Sequence, residues 1–261
     1  MSKVPAADST LRILEFLAHQ RGPVPAQTIA TALSLPRSSV YQILTVLTER
    51  GFALHIPEER RYGLGPAAFE LSSSYSRQQP LTRLGAPLLA KLVDHIGESA
   101  HLAVLHGTDV LYVVEERAAR RPSLITDVGV RLPAHLTASG RALLSALPPA
   151  QLRALYSDPV VFTQREELGL AGPQSYRELK ALVTQAAQQG YSTERSEITD
   201  GLASIGVAVK DHLGWPAAAI AVTYPVPVSA TEEDLQMRVE QLLPEIKTTA
   251  QELSRRIHGA C

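Results

Sequence analysis

The sequence predicts an α+β chain with three parts: an N-terminal winged helix-turn-helix, a linker helix, and a C-terminal domain built on an antiparallel sheet. Three observations predict it. Two short helical stretches, Pro25 to Leu33 and Leu35 to Gly51, are separated by only a residue or two, and the second has one apolar and one polar face. Two short alternating stretches follow at once, joined by Pro57-Glu58-Glu59, as a hairpin would be. After residue 80 the chain carries six alternating stretches framed by helical ones, which argues for helices on an antiparallel sheet.

The elements follow in order. Asp8 or Ser9 is suited to cap a first helix that runs to about Gln20, with Leu11, Leu14 and Leu17/Ala18 as its inner stripe; Arg21-Gly22-Pro23 stops it. Pro25 to Leu33 puts Ile29 and Leu33 on one face. In the next helix Val40, Ile43, Leu44 and Leu47 recur at i, i+3, i+4, i+7, while Ser38, Tyr41, Gln42 and Thr45 repeat the spacing on the other side. Pro36 suits the helix start, where an N–H has no partner to lose, and Gly51 its end. Phe52 to Ile56 and Arg60 to Leu64 are the strands of the wing. Gly65-Pro66 breaks it, and 67–77 reads as a linker helix closed by Gln78-Gln79-Pro80.

In the body, Leu81 to His95 is amphipathic with Leu84, Leu88, Leu89 and Leu92 inward. Ala100 to His106 and Val110 to Glu116 flank a short turn, and Ser123 to Val128 is expected as a third strand. Helices are expected over Thr137 to Leu147, Pro149 to Tyr156 and Tyr176 to Gln189, the last ending at Gly190. Strands are expected over Tyr191 to Glu197, Ala203 to Val209 and Ala217 to Tyr224. A final helix covers Thr231 to His258, with Leu235, Val239, Leu242, Leu243, Ile246 and Leu253 inward. The resulting domains are 1–65, 66–79 and 80–261.

Composition bounds the function. The 261 residues leave room for roughly two domains, and 45% hydrophobic against 20% charged residues favours a packed core over disorder. The overall charge of −1 excludes a polycation, yet residues 1–65 hold 7 Lys/Arg and 5 Asp/Glu, net +2, leaving the rest acidic. A mildly basic head on an acidic body fits one nucleic-acid-binding domain joined to another of different purpose. The one cysteine, Cys261, allows no disulfide framework within a chain. With no 18-residue apolar run and no signal-peptide core, the expectation is a soluble, cytoplasmic protein that does not enter a membrane. No G-x-S-x-G elbow, P-loop, G-x-G-x-x-G or H-E-x-x-H occurs, and the eight histidines are scattered, so neither an enzyme nor a metal or other cofactor is expected.

The segments LSLPRSSVYQILTVLTERGF and RRYGLG in the head, with AHLTASGRALLSAL (134–147), GYSTERSEITDGLASIGVAVKD (190–211) and AAIAVTYP (218–225) in the body, resemble the IclR-type family of bacterial transcription regulators. The resemblance covers nearly the whole chain. It implies a winged-helix head, a linker helix, a GAF-like effector domain, and assembly as a homodimer or a dimer of dimers.

DNA contacts are expected from Arg37, Ser38, Ser39, Tyr41 and Gln42 at the start of the second helix, where Arg and Gln can pair with base edges in bidentate fashion. Arg60 and Arg61 in the wing would reach the backbone or minor groove. In the body, Thr137, Ala138, Ser139 and Gly140 open a helix, and free N–H groups there suit a carboxylate. The resemblance implies that this turn belongs to an effector pocket in which Ala138 and Ser139 offer backbone amides and Glu194 takes an acidic position. Ser204 stands where many relatives have cysteine, Thr223 where some have serine, and Ala221 holds a second such position without a hydroxyl. Leu124 and Leu132 are candidates for the apolar wall. The expectation is therefore a repressor of catabolic genes that binds double-stranded operator DNA and responds to a small organic acid, with an aromatic carboxylate as the narrower expectation. The alternative is a small-molecule-binding or enzymatic body whose head serves dimerisation; the polar face Ser38/Tyr41/Gln42/Thr45 argues against a dimer seam.

Overall fold

The computed structural model describes residues 4–20, 22–71, 80–119, 121, 124, 126–162 and 172–258. The chain divides into two compact units, Met1–Gln78 and Gln79–Cys261.

The first unit is a winged helix-turn-helix. Helix α1 (Pro5–Ala18) starts earlier than expected, because Pro5 at the first helical position gives up no hydrogen bond. Asp8 is accordingly inside the first turn, and its N–H donates to the carbonyl of Val4. The inner stripe is also corrected: Ile13 and Leu17 are buried, whereas Leu11 is exposed. A two-residue strand β1 (Val24–Pro25) precedes α2 (Ala26–Leu33), so Pro25 ends a strand instead of opening a helix. Ser34 turns the chain in a left-handed conformation (φ 53°), Pro36 caps, and α3 (Arg37–Glu49) begins. Strands β2 (Ala53–Ile56) and β3 (Arg61–Leu64) form the wing, and β1 joins them in a three-stranded sheet of order β1-β3-β2. The core joins Ile13 and Leu17 to Ile29, Val40, Leu44 and Leu47. Residues 66–71 are helical; the remainder of the expected linker helix lies outside the described residues.

The second unit is a six-stranded antiparallel sheet of order β6-β5-β4-β9-β8-β7 with helices on both faces. Its elements are α4 (Pro80–Ile96), β4 (Ser99–His106), β5 (Asp109–Glu116), β6 (Arg131–Pro133), α5 (Ala138–Ser145), α6 (Pro149–Leu155), a 3-10 turn (Pro159–Phe162), α7 (Tyr176–Gln189), β7 (Ser192–Arg195), β8 (Leu202–Lys210), β9 (Pro216–Pro225) and α8 (Glu232–His258). The third strand is β6, not 123–128: within that range Leu124, Thr126, Asp127 and Val128 belong to a loop, pinned where Asp127 pairs with Arg117 and Thr126 bonds His101.

Strand alternation divides the sheet's faces. Ala100, Leu102, Ala203, Ile205, Ile220 and Val222 pack under α4 and α8, with Leu89, Leu92, Leu242 and Ile246. Their neighbours Ala103, Ala208 and Ala219 face α5 and α7, with Leu143, Leu144 and Leu179. Small residues on that second face let α5 lie close to the sheet. A Cβ at Gly206 would come within 2.4 Å of the carbonyl oxygen of Ala138, and one at Gly140 within 2.2 Å of that of Ala134. Helix α7 is closed by Gly190 in the left-handed region (φ 74°) and opened by a capping box in which Ser175 and Glu178 exchange hydrogen bonds.

Candidate functional site

The first candidate surface is the outer face of α3. Burial of Val40, Leu44 and Leu47 against α1 and α2 fixes the helix's rotation, so Arg37, Ser38, Tyr41, Gln42 and Thr45 point to solvent. Ser39 is half-buried at the edge of this face. Tyr41 is 54% exposed, an aromatic ring held out among hydrogen-bonding groups. In the wing, His55 and Tyr62 face each other in register with stacked rings 4.5 Å apart, which stiffens the hairpin. Arg60 turns the hairpin in the left-handed region (φ 55°) and is exposed. Arg61 differs: its guanidinium reaches the carbonyl of Pro23 at 3.5 Å and stands 3.7 Å from Glu59, so it braces the wing as well as projecting from it.

The second is a small cavity in the sheet of the second unit, on the α5 face, with about 20 Å³ of free space between its side chains. As the side chains stand, that is room for about one water molecule. Two rows of strand neighbours make its floor. Glu194 on β7 pairs with Ser204 on β8, which pairs with Thr223 on β9. One pleat along, Gly206 pairs with Ala221, and Ala221 with His101 on β4. The start of α5 lies over Gly206 and supplies Thr137, Ala138 and Ser139. Leu124 and Thr126 close the cavity from the loop, and Ile198, Thr199 and Leu202 line it beyond β7.

The polar groups form short chains. Ser204 Oγ donates to Glu194 Oε1 at 2.7 Å and lies 3.0 Å from Thr223 Oγ1. The N–H of Glu197 donates to Glu194 Oε2 at 3.2 Å. Burial nonetheless pushes the Glu194 carboxyl above the usual carboxylate range, outweighing these donors and the charge of Arg141. At the helix start, Thr137 Oγ1 accepts from the N–H of Gly140 at 3.0 Å. The N–H groups of Ala138 and Ser139 come one turn too early for a partner within the helix, and both residues line the cavity. Tyr112 reaches from β5 with its hydroxyl 3.4 Å from Ser139 Oγ, and burial pushes its hydroxyl up to about 12.

Arg141 anchors this helix. It is 2% exposed, donates to the carbonyls of His135 (2.8 Å) and Thr193 (2.9 Å), and pairs with Glu197 at 2.5 Å. Burial still pushes the Glu197 carboxyl up to about 7. His135, just before the turn, is buried and packs its ring edge-on against Tyr156 and Phe162, away from the cavity lining.

Of the body residues singled out from the sequence, Leu124, Thr137, Ala138, Ser139, Glu194, Ser204, Ala221 and Thr223 all line this one cavity. Leu132 does not: its register opposite Val110 turns it into the core with Leu143 and Leu144. His101, Tyr112, Thr126, Ile198, Thr199 and Leu202 were not singled out. The alternation of β4 around His101 marks an inward-facing polar residue; Thr126 gives no such signal, because its contact spans 25 residues of chain. Among the described residues no group of three or more His, Cys, Asp or Glu is placed to hold a metal ion. No helix among them is long and apolar enough to cross a membrane.

Residues 6–55 match the profile described as the IclR helix-turn-helix domain, and residues 73–255 that described as the bacterial transcriptional regulator IclR C-terminal domain. The Pca regulon regulatory protein of Pseudomonas putida is 29% identical over 250 residues, covering 95% of this chain and 82% of that protein. The transcriptional repressor IclR of Escherichia coli is 26% identical over 218 residues, 83% of this chain and 78% of its own. Among solved structures, the IclR of Thermotoga maritima superposes with a TM-score of 0.69 at 25% identity, covering 97% of this chain and 98% of the other. An IclR homologue from Microbacterium hydrocarbonoxydans, solved with 4-hydroxybenzoate, shares the fold with a TM-score of 0.74 at 21% identity over 97% and 98% of the two chains.

Proposed function

The chain belongs to the IclR family of bacterial DNA-binding transcriptional regulators, and from that membership we propose that it is a repressor of catabolic genes whose hold on its operator is set by a small organic acid. Its relatives are transcriptional regulators and not enzymes.

The observation that carries the acid effector is the cavity itself. It joins two helix-start N–H groups, which favour an anion, to an apolar lining of Leu124, Ile198 and Ala221. An acid would enter by parting Leu124 and Ile198, whose apolar side chains suit a flat ring or short alkyl chain. An aromatic carboxylate is the reading these walls favour. Arg37, Ser38, Ser39, Tyr41 and Gln42 are the proposed base-reading and phosphate contacts, with Arg60 and Arg61 at the backbone or minor groove. Two heads in a homodimer, or in a dimer of dimers, would meet half-sites about 34 Å or a multiple apart on one face of the duplex. The site of action is the cytoplasm, where the operator is.

The test is binding of the purified full chain to the DNA upstream of its own gene, against a scrambled duplex, at about 150 mM salt because phosphate contacts weaken steeply with salt. A preference of about 10³ or more is expected for a specific regulator. Candidate acids are then added to the complex, and a change of roughly 5–150-fold in operator affinity is expected of an effector. Acids that bind the protein and leave the operator complex unchanged would count against regulation through this cavity.

A further inference from the structure

The cavity has a second polar end, on the opposite side from the start of α5. His101 on β4 pairs with Ala221, and Ala221 with Gly206, the residue over which Ala138 lies. Two strand spacings, about 10 Å, separate Gly206, beneath that helix start, from His101. At this end His101 Nε2 stands 2.8 Å from Thr126 Oγ1. Both residues are buried, His101 to 1% and Thr126 to 8% exposure, and both line the cavity. Tyr112 spans the two ends: its ring packs edge-on against the His101 ring at 5.6 Å, and its hydroxyl meets Ser139.

The charges around this end are already engaged with one another. Glu115 Oε1 is 3.9 Å from His101 Nε2, beyond hydrogen-bond reach, and receives the Arg117 guanidinium at 2.8 Å. The same guanidinium pairs with Asp127. What faces the cavity is therefore a hydroxyl and an imidazole. A hydroxyl has one donor and two acceptor sites; a neutral imidazole has one of each. If Nε2 donates, Thr126 keeps a donor and an acceptor site for a third group; if Thr126 donates, its oxygen keeps acceptor sites and the remaining donor is Nδ1–H of the ring. The pair does not supply a positive charge, since burial holds the imidazole neutral down to about 4.

We infer that His101 and Thr126 form a second recognition point, which reads an uncharged hydrogen-bonding group, a hydroxyl or carbonyl, on the effector at the end away from its carboxylate. This rests on the acid-effector reading above. The carboxylate lies at the N–H groups of Ala138 and Ser139, the body lies along Ala221 and Leu124, and the hydroxyl lies at His101. A second carboxylate at that end is excluded, because it would be buried without a counter-charge.

The test is calorimetric titration of the full chain with two matched series: benzoate, 4-hydroxybenzoate and terephthalate, and hexanoate, 6-hydroxyhexanoate and adipate. In at least one series the hydroxy acid should bind 10-fold or more tighter than its parent, and the diacid weaker than the hydroxy acid. In Thr126→Val, a near-isosteric change, and separately in His101→Leu, the ratio of hydroxy acid to parent acid should fall to within about 3-fold of one. Circular dichroism and thermal melts check that each variant is folded. A purely packing role for the pair would lower both affinities together and keep the ratio, which would overturn the inference, as would a diacid that binds as well as the hydroxy acid. Acids that bind without hydroxyl discrimination sink this inference and leave the acid reading standing; if no acid in either series binds the unaltered chain, both fall.

Discussion

Gly206 of β8 lies directly beneath Ala138 of α5, so close that a methyl group on Gly206 would stand 2.4 Å from the Ala138 carbonyl oxygen and 2.9 Å from the Ser139 nitrogen. Both clashing atoms are backbone, so the helix start itself would have to move. Gly206→Ala should therefore destabilise the chain by about 3 kcal/mol, the upper end for overpacking, and weaken acid binding at least 10-fold. Denaturant unfolding and calorimetry measure the two effects. Gly22→Ala, where nothing lies within 4 Å, is the control and should change neither by much. Retained acid binding in folded Gly206→Ala would show that the α5 N-terminus is not the carboxylate site.

Two buried groups make opposite demands on pH. Burial lowers His101 to about 4, with the Arg117 charge adding to the effect and Asp127 opposing it. The unfolded chain then binds the extra proton between about 4 and the ordinary 6.5, so this contribution is full above 6.5 and is lost as pH falls toward 4. Burial raises Glu197 to about 7, against the pull of Arg141. There the folded chain holds the extra proton, so its contribution is present at low pH and is lost as pH rises from about 4.5 to 7. Each spans about 3 kcal/mol at 1.36 kcal/mol per unit. In His101→Gln, stability should decline more steeply between pH 4.5 and 7 than in the unaltered chain; in Glu197→Gln it should climb over the same window. Urea midpoints at four pH values decide it, and parallel curves for all three proteins would refute the assignment.

Ser204 links Glu194 to Thr223 in one hydrogen-bonded row. Ser204→Ala removes a donor from a buried carboxylate, and leaving such a group short of a partner costs about 1–3 kcal/mol. The same loss should raise the Glu194 carboxyl further, since the Ser204 bond is the largest of the influences that hold it down. Unfolding measurements and carboxyl titration by NMR test the pair of effects together. A Glu194 titration unmoved by Ser204→Ala would mean that the N–H of Glu197 is the donor that matters.

The faces of α3 were legible because a 3.6-residue period separates apolar from polar positions without ambiguity. In α1 the run Leu11, Ile13, Leu14, Phe16, Leu17 offers two overlapping stripes, and only packing against α2 and α3 selects Ile13 and Leu17. Strand β1 is two residues long and carries no period at all; its pairing with Tyr62 and Arg61 makes it a strand. In the cavity, a local motif located the helix start, and the family resemblance pointed to Glu194, Ser204 and Thr223. Thr126 was invisible because its alternating neighbours in the sequence imitate a strand, whereas Thr126 and Asp127 lie in a loop where Asp127 pairs with Arg117. Leu132 was misplaced for the complementary reason: its strand was expected a few residues too early, which left its facing undetermined.

The base-reading assignment of α3 separates from the wing by specificity. Arg37 is exposed at the first position of the helix, free of the apolar stripe. Arg37→Ala should cost about 1–3 kcal/mol of operator affinity and little on scrambled DNA, since a bidentate base contact exists only at the right base. Fluorescence anisotropy on both duplexes measures it. Equal losses on the two would reduce Arg37 to a phosphate contact.

Arg60 allows stability and affinity to be moved separately. It holds the wing turn at φ 55°, with its N–H donating to the carbonyl of Pro57, in a region that costs an L-residue about 1–2 kcal/mol. Arg60→Ala removes the charge and keeps that strain; Arg60→Gly removes both. If the side chain meets phosphate, the two variants should lose the same affinity on operator and scrambled DNA, and each should flatten the salt dependence by about one unit of slope. Their stabilities should differ, with the glycine variant more stable than the alanine one by about 1 kcal/mol after glycine's larger unfolded-state entropy is allowed for. Arg61 is a poorer probe, because removing it also breaks the brace to Pro23 and would mix wing collapse with lost contact. Unequal DNA affinities for the two Arg60 variants would mean that turn geometry, rather than charge, governs how the wing meets the duplex.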